Sequence, residues 1–145
     1  MKLKYIIGVG NGGCNIVNNI AGELSFKKIL IKNNLDIDTI NADYSSSYII
    51  CSLGGDFGSN AIVKIVEKLK KLNSTTEVIV TTPLLFEGKH RIKLAKDAIE
   101  ILNSLSVKVN VIDNNKLLTD TDSSMSMADS FGIIDNQIKE IIKNA

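Results

Sequence analysis

Two glycine-rich stretches carry the first chemical suggestion. Residues 8–15 read GVGNGGCN and residues 54–60 read GGDFGSN. Glycines between a strand and a helix let the backbone approach a phosphate closely and aim amide N–H groups at it. The helix N-terminus adds partial positive charge. Gly10–Gly13 therefore reads as a phosphate loop, although the extra Gly12 breaks the G-x-G-x-x-G spacing of a dinucleotide fingerprint. A tight strand-to-helix turn without a ligand is the plain alternative. Two such turns suggest a bowl of backbone amides for a polyphosphate. Asp56 in the second repels phosphate unless a metal bridges, and its plain role is to cap a helix. Further along, Glu87 can accept from a ribose hydroxyl. Arg91, four residues on and expected on the same helix face, offers a planar fork to phosphate or base. Their plain reading is a surface ion pair worth a few tenths of a kcal/mol. His90, the single histidine, reads as solvated. Asn114, in Asp113-Asn114-Asn115-Lys116, and the Asp135-Asn136 pair offer side chains that can read a base edge. An Asn-rich turn and a solvent-facing polar pair are the alternatives.

These clusters need strands and helices to hold them, and the hydrophobic pattern supplies both. Short apolar runs at Lys4–Val9, Lys28–Lys32, Tyr48–Leu53, Glu77–Thr82 and Val107–Ile112 read as strands. Helical spacing appears over Asn15–Leu24, Ala61–Leu72, Gly88–Leu105 and Met125–Lys143, the last with Met127, Phe131, Ile134, Ile138 and Ile141 inward. Leu35–Ser47 is polar and irregular, with one short strand at Ile37–Ile40. Strand–helix alternation implies an α/β fold: a Rossmann-like three-layer sandwich with a mostly parallel sheet and helices on both faces. In such sheets ligands sit beyond the carboxyl ends of the strands. Every distinctive cluster falls there.

Composition narrows the classes. A chain of 145 residues suits one domain, here 1–145. Net charge is +1, aromatics are 5% and Trp is absent, which argues against a nucleic-acid-binding surface. Two cysteines, Cys14 and Cys51, cannot make a disulfide framework or a four-ligand zinc site unaided. No apolar run approaches a membrane span and no signal peptide is evident, so a cytoplasmic chain without membrane insertion is expected. No catalytic or metal-ligating residue is assigned.

In order, the clusters resemble the nucleotide-binding half of the FtsZ/tubulin family, its FtsZ branch in particular. GVGNGGCN is similar to the family's first phosphate loop, EVIVTTPLLFEGKHRIKLAKDAIEIL and VNVIDNNKLL to its middle, and DSFGIIDNQI to the start of its central helix. The resemblance implies a tubulin/FtsZ GTPase-domain-like fold that binds GTP or GDP, with Mg²⁺ as a companion ion. It places Gly10, Asn11, Gly12, Gly13 and Asn15 in the first loop. Gly54, Gly55, Gly58 and Ser59 match the second. Glu87 would take the ribose, Arg91 would lie beside the nucleotide, and Asn114, Asp135 and Asn136 would face guanine.

The departures set further expectations. The family's GGGTGTG appears as GGDFGSN, so Asp56, Phe57 and Asn60 differ, and Phe57 could fill space a phosphate once used. The Leu35–Ser47 segment is shortened, the Asn-Asp order at 135–136 is reversed, and the family's activation half has no counterpart. An FtsZ-like domain in cell division or a cytoskeletal filament, binding nucleotide without efficient GTP hydrolysis alone, is one expectation. A pseudo-GTPase that serves as a structural or regulatory partner of an FtsZ-like protein is the alternative. A dinucleotide-binding module is a weaker third. Isoleucines at 133, 134, 138, 141 and 142 on more than one face of the last helix imply an open apolar side. A homodimer or an FtsZ-like partner would dock there.

Overall fold

A computed structural model describes residues 5–41, 44, 46–72, 75–116 and 127–143. In chain order the elements are β1 (Tyr5–Val9), α1 (Gly10–Ile20), β2 (Lys27–Ile31), α2 (Asn34–Asp38) and β3 (Ser46–Ser52). There follow α3 (Asp56–Lys71), β4 (Thr75–Thr81), α4 (Lys89–Ser104), β5 (Lys108–Ile112) and α5 (Met127–Lys143). The strands form one five-stranded sheet in the order β2-β1-β3-β4-β5, and every neighbouring pair is parallel.

Continuous apolar runs in the central strands follow from burial on both faces. Ile7, Val9, Ile49, Cys51, Val78 and Val80 point to one side, where Ile62, Ile65 and Leu69 of α3 and Leu102 of α4 meet them. Ile6, Tyr48, Ile50 and Ile79 point to the other, against Val17 and Ile20 of α1 and Ile134, Ile138 and Ile142 of α5. This is the three-layer α/β sandwich that the alternation implies. Strand order reverses between β1 and β3, which opens a crevice at their carboxyl ends.

Helix α1 begins at Gly10, not at Asn15, so the glycines are its first turn rather than a loop before it. Gly10 turns the chain at φ +74°. A Cβ on Gly13 would run into the Ile50 carbonyl oxygen, and one on Gly8 would lie 2.8 Å from the Gly13 oxygen. These glycines let α1 lie directly on β1 and β3. Likewise α3 begins at Asp56, five residues before the expected start.

The strand expected at Ile37–Ile40 is instead the helix α2. Asn33 Oδ1 accepts from the Asp36 N–H at 3.0 Å and Asp36 Oδ2 accepts from the Asn33 N–H at 3.2 Å, a reciprocal cap that starts a helix. Ile37 and Ile40 still bury their side chains.

Among the described side chains of α5, no large apolar one is exposed. Ile134, Ile138 and Ile142 are buried, and Ile133 and Ile141 are half-buried. Packing beside α1 and over the sheet covers a wide arc of the helix. Among the described residues the exposed large apolar side chains are Leu35, Leu85, Phe86, Ile101 and Val111, none of them on α5. The expectations for Lys4 and Met125, and for the side chains of Met127 and Phe131, lie outside the described residues. Among the described residues no helix is long and apolar enough to cross a membrane.

Candidate nucleotide site

A cleft of about 420 Å³ opens at the carboxyl edge of the sheet. Its walls are α1, through Gly12, Asn15, Asn18 and Asn19, and α5, through Ile134 and Asp135. Ser52 and Thr81 at the ends of β3 and β4 form its floor with Asn114, two residues after β5. Helix α1 bears no charged residue. Asn15, Asn18 and Asn19 fall at one helical spacing and face the cleft, while Val17 and Ile20 hold the helix to the sheet.

One buried acceptor and one desolvated carboxylate set the polarity of the cleft. Asn114 Oδ1 is buried and has no hydrogen-bond partner, a state that costs on the order of 1–3 kcal/mol until a donor arrives. Burial pushes the Asp135 carboxyl above its ordinary value, although the Asn19 amide and Lys139 pull the other way. Asn19 Nδ2 donates to Asp135 Oδ2 at 3.3 Å and steadies that carboxylate. Asn18 accepts from Lys28 Nζ at 2.9 Å.

The two glycine turns meet beside the cleft. A Cβ on Gly10 would lie 3.5 Å from the Gly58 Cα. Neither α1 nor α3 has a side-chain cap, so backbone N–H groups of both first turns lack side-chain acceptors at this edge. Packing accounts for part of the glycine content: Gly58 sits against Cys51 Sγ at 3.2 Å, and Gly13 against Ile50. It does not account for Gly55, where an added Cβ would meet nothing within 4 Å. Ser59 is buried and its Oγ accepts from the Gly54 N–H at 2.9 Å, so it pins the turn. Phe57 packs against the core on the α3 side of the sheet.

The structure thus gathers Gly12, Asn15, Asn114 and Asp135 in one cleft. Gly10, Gly13, Gly54, Gly55, Gly58 and Ser59 form the turns beside it, while Asn11 and Asn136 are exposed away from its lining. Glu87 and Arg91 also stand outside the lining. They do not share one helix as expected, because Glu87 ends a 3-10 turn and Gly88, at φ +102°, precedes α4. Glu87 Oε2 accepts from the Leu84 N–H at 2.6 Å, and Arg91 lies 3.8 Å from Oε1. Asn115 braces the same loop, accepting from the Leu85 N–H and donating to the Pro83 oxygen. His90 is not merely solvated: its Nε2 lies 3.1 Å from Asp56 Oδ1. Sequence reading missed Ser52, Thr81, Asn18 and Asn19. The Asn spacing on α1 was the available signal for the last two.

Cysteine chemistry finds no support. Both thiols are buried, and burial pushes Cys51 up to about 12. Among the described residues no group of three or more His, Cys, Asp or Glu could hold a metal ion.

Comparison with known proteins gives this geometry its context. The model of the Tubulin/FtsZ family, GTPase domain, matches residues 28–122. The chain is 30% identical over 156 residues to cell division protein FtsZ 1 of Thermococcus kodakarensis, covering 79% of this chain and 42% of that one. It is 37% identical over 95 residues to cell division protein FtsZ of Mycoplasmopsis pulmonis, covering 66% and 24%. The chain therefore spans less than half the length of these curated relatives. Among solved structures, an empty FtsZ dimer of M. jannaschii matches with TM-score 0.77 at 21% identity, over 94% of this chain and 52% of that one. The GDP-bound CetZ1 monomer of Haloferax volcanii matches at 0.69 and 12%, over 94% and 57%. Both show the same fold.

Proposed function

Because the chain belongs to the Tubulin/FtsZ family through its GTPase domain, we propose that its cleft binds a guanine nucleotide, GDP or GTP. The base lies between Asn114 and Asp135, and the phosphates lie over the two glycine turns. The buried, unpartnered Asn114 Oδ1 carries this reading, with the Asp135 carboxylate in the wall of the same cleft. Guanine presents N1–H and N2–H₂ along one edge, a pair of donors that suits a carboxylate acceptor. Asn15, Ser52 and Thr81 line the same cleft and would meet the ribose. Glu87 would have to release the Leu84 N–H to take a ribose hydroxyl. Arg91 contributes charge from beside the second turn, since a Cβ on Gly54 would lie 3.4 Å from its own Cβ.

Mg²⁺ would arrive as a companion of the phosphates rather than on a protein ligand set, since among the described residues no group of three or more His, Cys, Asp or Glu could hold a metal ion. Its ligands would be phosphate oxygens and water, with Asp56 in reach through water. The ion would supply charge neutralisation.

Hydrolysis needs a positioned water and a group that orients or deprotonates it. The carboxylates nearest the turns are both engaged, Asp56 by His90 and Glu87 by Leu84 and Arg91. The 145-residue chain binds nucleotide without efficient turnover. Its place in cell division or in a cytoskeletal filament rests on kinship. A second reading, a regulatory partner that has lost the ligand, draws on the negative charge of Asp56 in the first turn of α3.

Titration with fluorescent GDP and GTP in the presence of Mg²⁺ tests the proposal. Saturable binding displaced by unlabelled GDP but not by ATP is expected. No binding at high micromolar nucleotide would overturn it. Phosphate release from GTP, followed over a protein concentration series, should stay near background. A rate per molecule that climbs with concentration would show that self-association completes a hydrolytic site.

A further inference from the structure

Asn114 and Asn115 are neighbours in the chain that serve different cavities. Asn114 lines the cleft between α1 and α5, and Asn115 lines a separate groove with Pro83, Leu85 and Ile92. There the Asn115 amide is used at both ends. Its Oδ1 accepts from the Leu85 N–H at 2.9 Å, and its Nδ2 donates to the Pro83 oxygen at 3.2 Å. Asp113 supports it from behind. Its Oδ1 accepts from the Asn115 N–H at 2.9 Å, from the Lys116 N–H at 3.4 Å and from the Thr82 hydroxyl at 3.4 Å. The Thr82 N–H donates to the Ile112 oxygen at 3.1 Å. The turn after β5 is thus clamped to the loop after β4.

The clamp has a consequence on each side. Asn114 stands between Asp113 and Asn115, so the backbone that carries its buried, unpartnered Oδ1 is held from both flanks. A buried acceptor without a donor is costly, and a fixed backbone keeps it from turning away to water. On the other side, Pro83 lies against the second glycine turn, where a Cβ on Gly54 would come within 3.2 Å of the proline Cβ. One amide therefore joins the base end of the cleft to the support of a turn beside it.

We propose that Asn115 is a positioning residue for the nucleotide cleft, acting on base and phosphates together without touching either. This rests on the guanine-nucleotide reading above. The clamp presets Asn114 for the base and the Gly54 turn for the phosphates, so binding does not have to order them. Loss of the clamp weakens both ends, whereas loss of Asn114 weakens the base end alone.

The test measures GDP and guanosine affinities, with thermal unfolding alongside, for the wild type, Asn115→Ala, Leu85→Pro and Asn114→Ala. Asn115→Ala should weaken guanosine binding roughly three- to tenfold, the worth of a neutral hydrogen bond. It should weaken GDP by a further factor of about three, because the phosphate turn loosens as well. The ratio of GDP to guanosine affinity therefore falls. Asn114→Ala should weaken both ligands equally and leave that ratio unchanged. Leu85→Pro cuts the clamp from the other side by removing the N–H that Asn115 accepts. Leu85 opens the 3-10 turn and Leu84 before it is extended, at φ −71° and ψ 150°, a setting that suits proline. This variant should lower the ratio as Asn115→Ala does, and it carries the test if Asn115→Ala does not fold. A merely structural role would lower the unfolding temperature and leave the ratio at its wild-type value. That result overturns the proposal, as does a loss of GDP affinity with guanosine unchanged, and both leave the nucleotide reading intact. A wild type that binds neither ligand overturns the nucleotide reading and the proposal with it.

Discussion

Asp135→Ala should weaken GDP binding roughly ten- to a hundredfold, the cost of losing a charged acceptor worth about 1.5–3 kcal/mol. The carboxylate stands in the cleft wall, steadied by Asn19 at 3.3 Å, where a purine edge with two donors would meet it. Stability should move the other way. Burial raises the folded-state pKa of Asp135 above its ordinary value. A group of that kind favours the folded state at low pH, below the ordinary carboxylate value, and loses this contribution as pH rises through the raised one. At neutral pH the ionised, desolvated carboxylate is therefore a cost. Asp135→Asn, which keeps the shape without the charge, should unfold at a higher temperature than wild type at pH 7 without nucleotide. The gain should shrink towards pH 3. A melting temperature that falls at pH 7 would mean that the Asn19 contact outweighs desolvation. Unchanged GDP affinity in Asp135→Ala would take the base out of this cleft.

Gly13→Ala should destabilise the protein by about 3 kcal/mol or more, towards the upper end of overpacking costs. The added methyl would run into the Ile50 carbonyl oxygen and crowd the Cys51 Cα at 3.2 Å. Both are backbone of a central strand and cannot rotate away. Gly55→Ala meets nothing within 4 Å and has φ −77°, so it should fold with little change. Chemical denaturation of the two variants separates packing from ligand contact. Gly13 should read out in stability. Gly55 should read out in nucleotide affinity, since the methyl would stand where backbone meets phosphate. Equal stability of the two variants would contradict the close seat of α1 on β1 and β3.

Much of the fold was legible because the central strands are buried on both faces and so read as unbroken apolar runs. The stripes on α3 and α4 were legible for the opposite reason, since one face of each meets solvent. What escaped depends on contacts between distant residues. The glycine turn at Gly10–Gly13 is helical because tertiary packing on Ile50 and Cys51 outweighs the low helix propensity of glycine. Ile37 and Ile40 looked like a strand, yet the reciprocal cap between Asn33 and Asp36 starts a helix there. At the site, Asn114 and Asp135 stood out by residue type, while Ser52 and Thr81 carry no local signal. They line the cleft only because β3 and β4 end side by side in register, Ser52 opposite Thr81. His90 and Asp56 were each visible alone, and only the packing of α3 against α4 makes them a pair.

The most direct measurement is a crystal structure of the protein grown with GDP. The account predicts guanine density between Asn114 and Asp135, with Asn114 Oδ1 gaining a partner and the phosphates lying over Gly10–Gly13 and Gly55. Absence of nucleotide at saturating GDP, or a base seated outside this cleft, would contradict it.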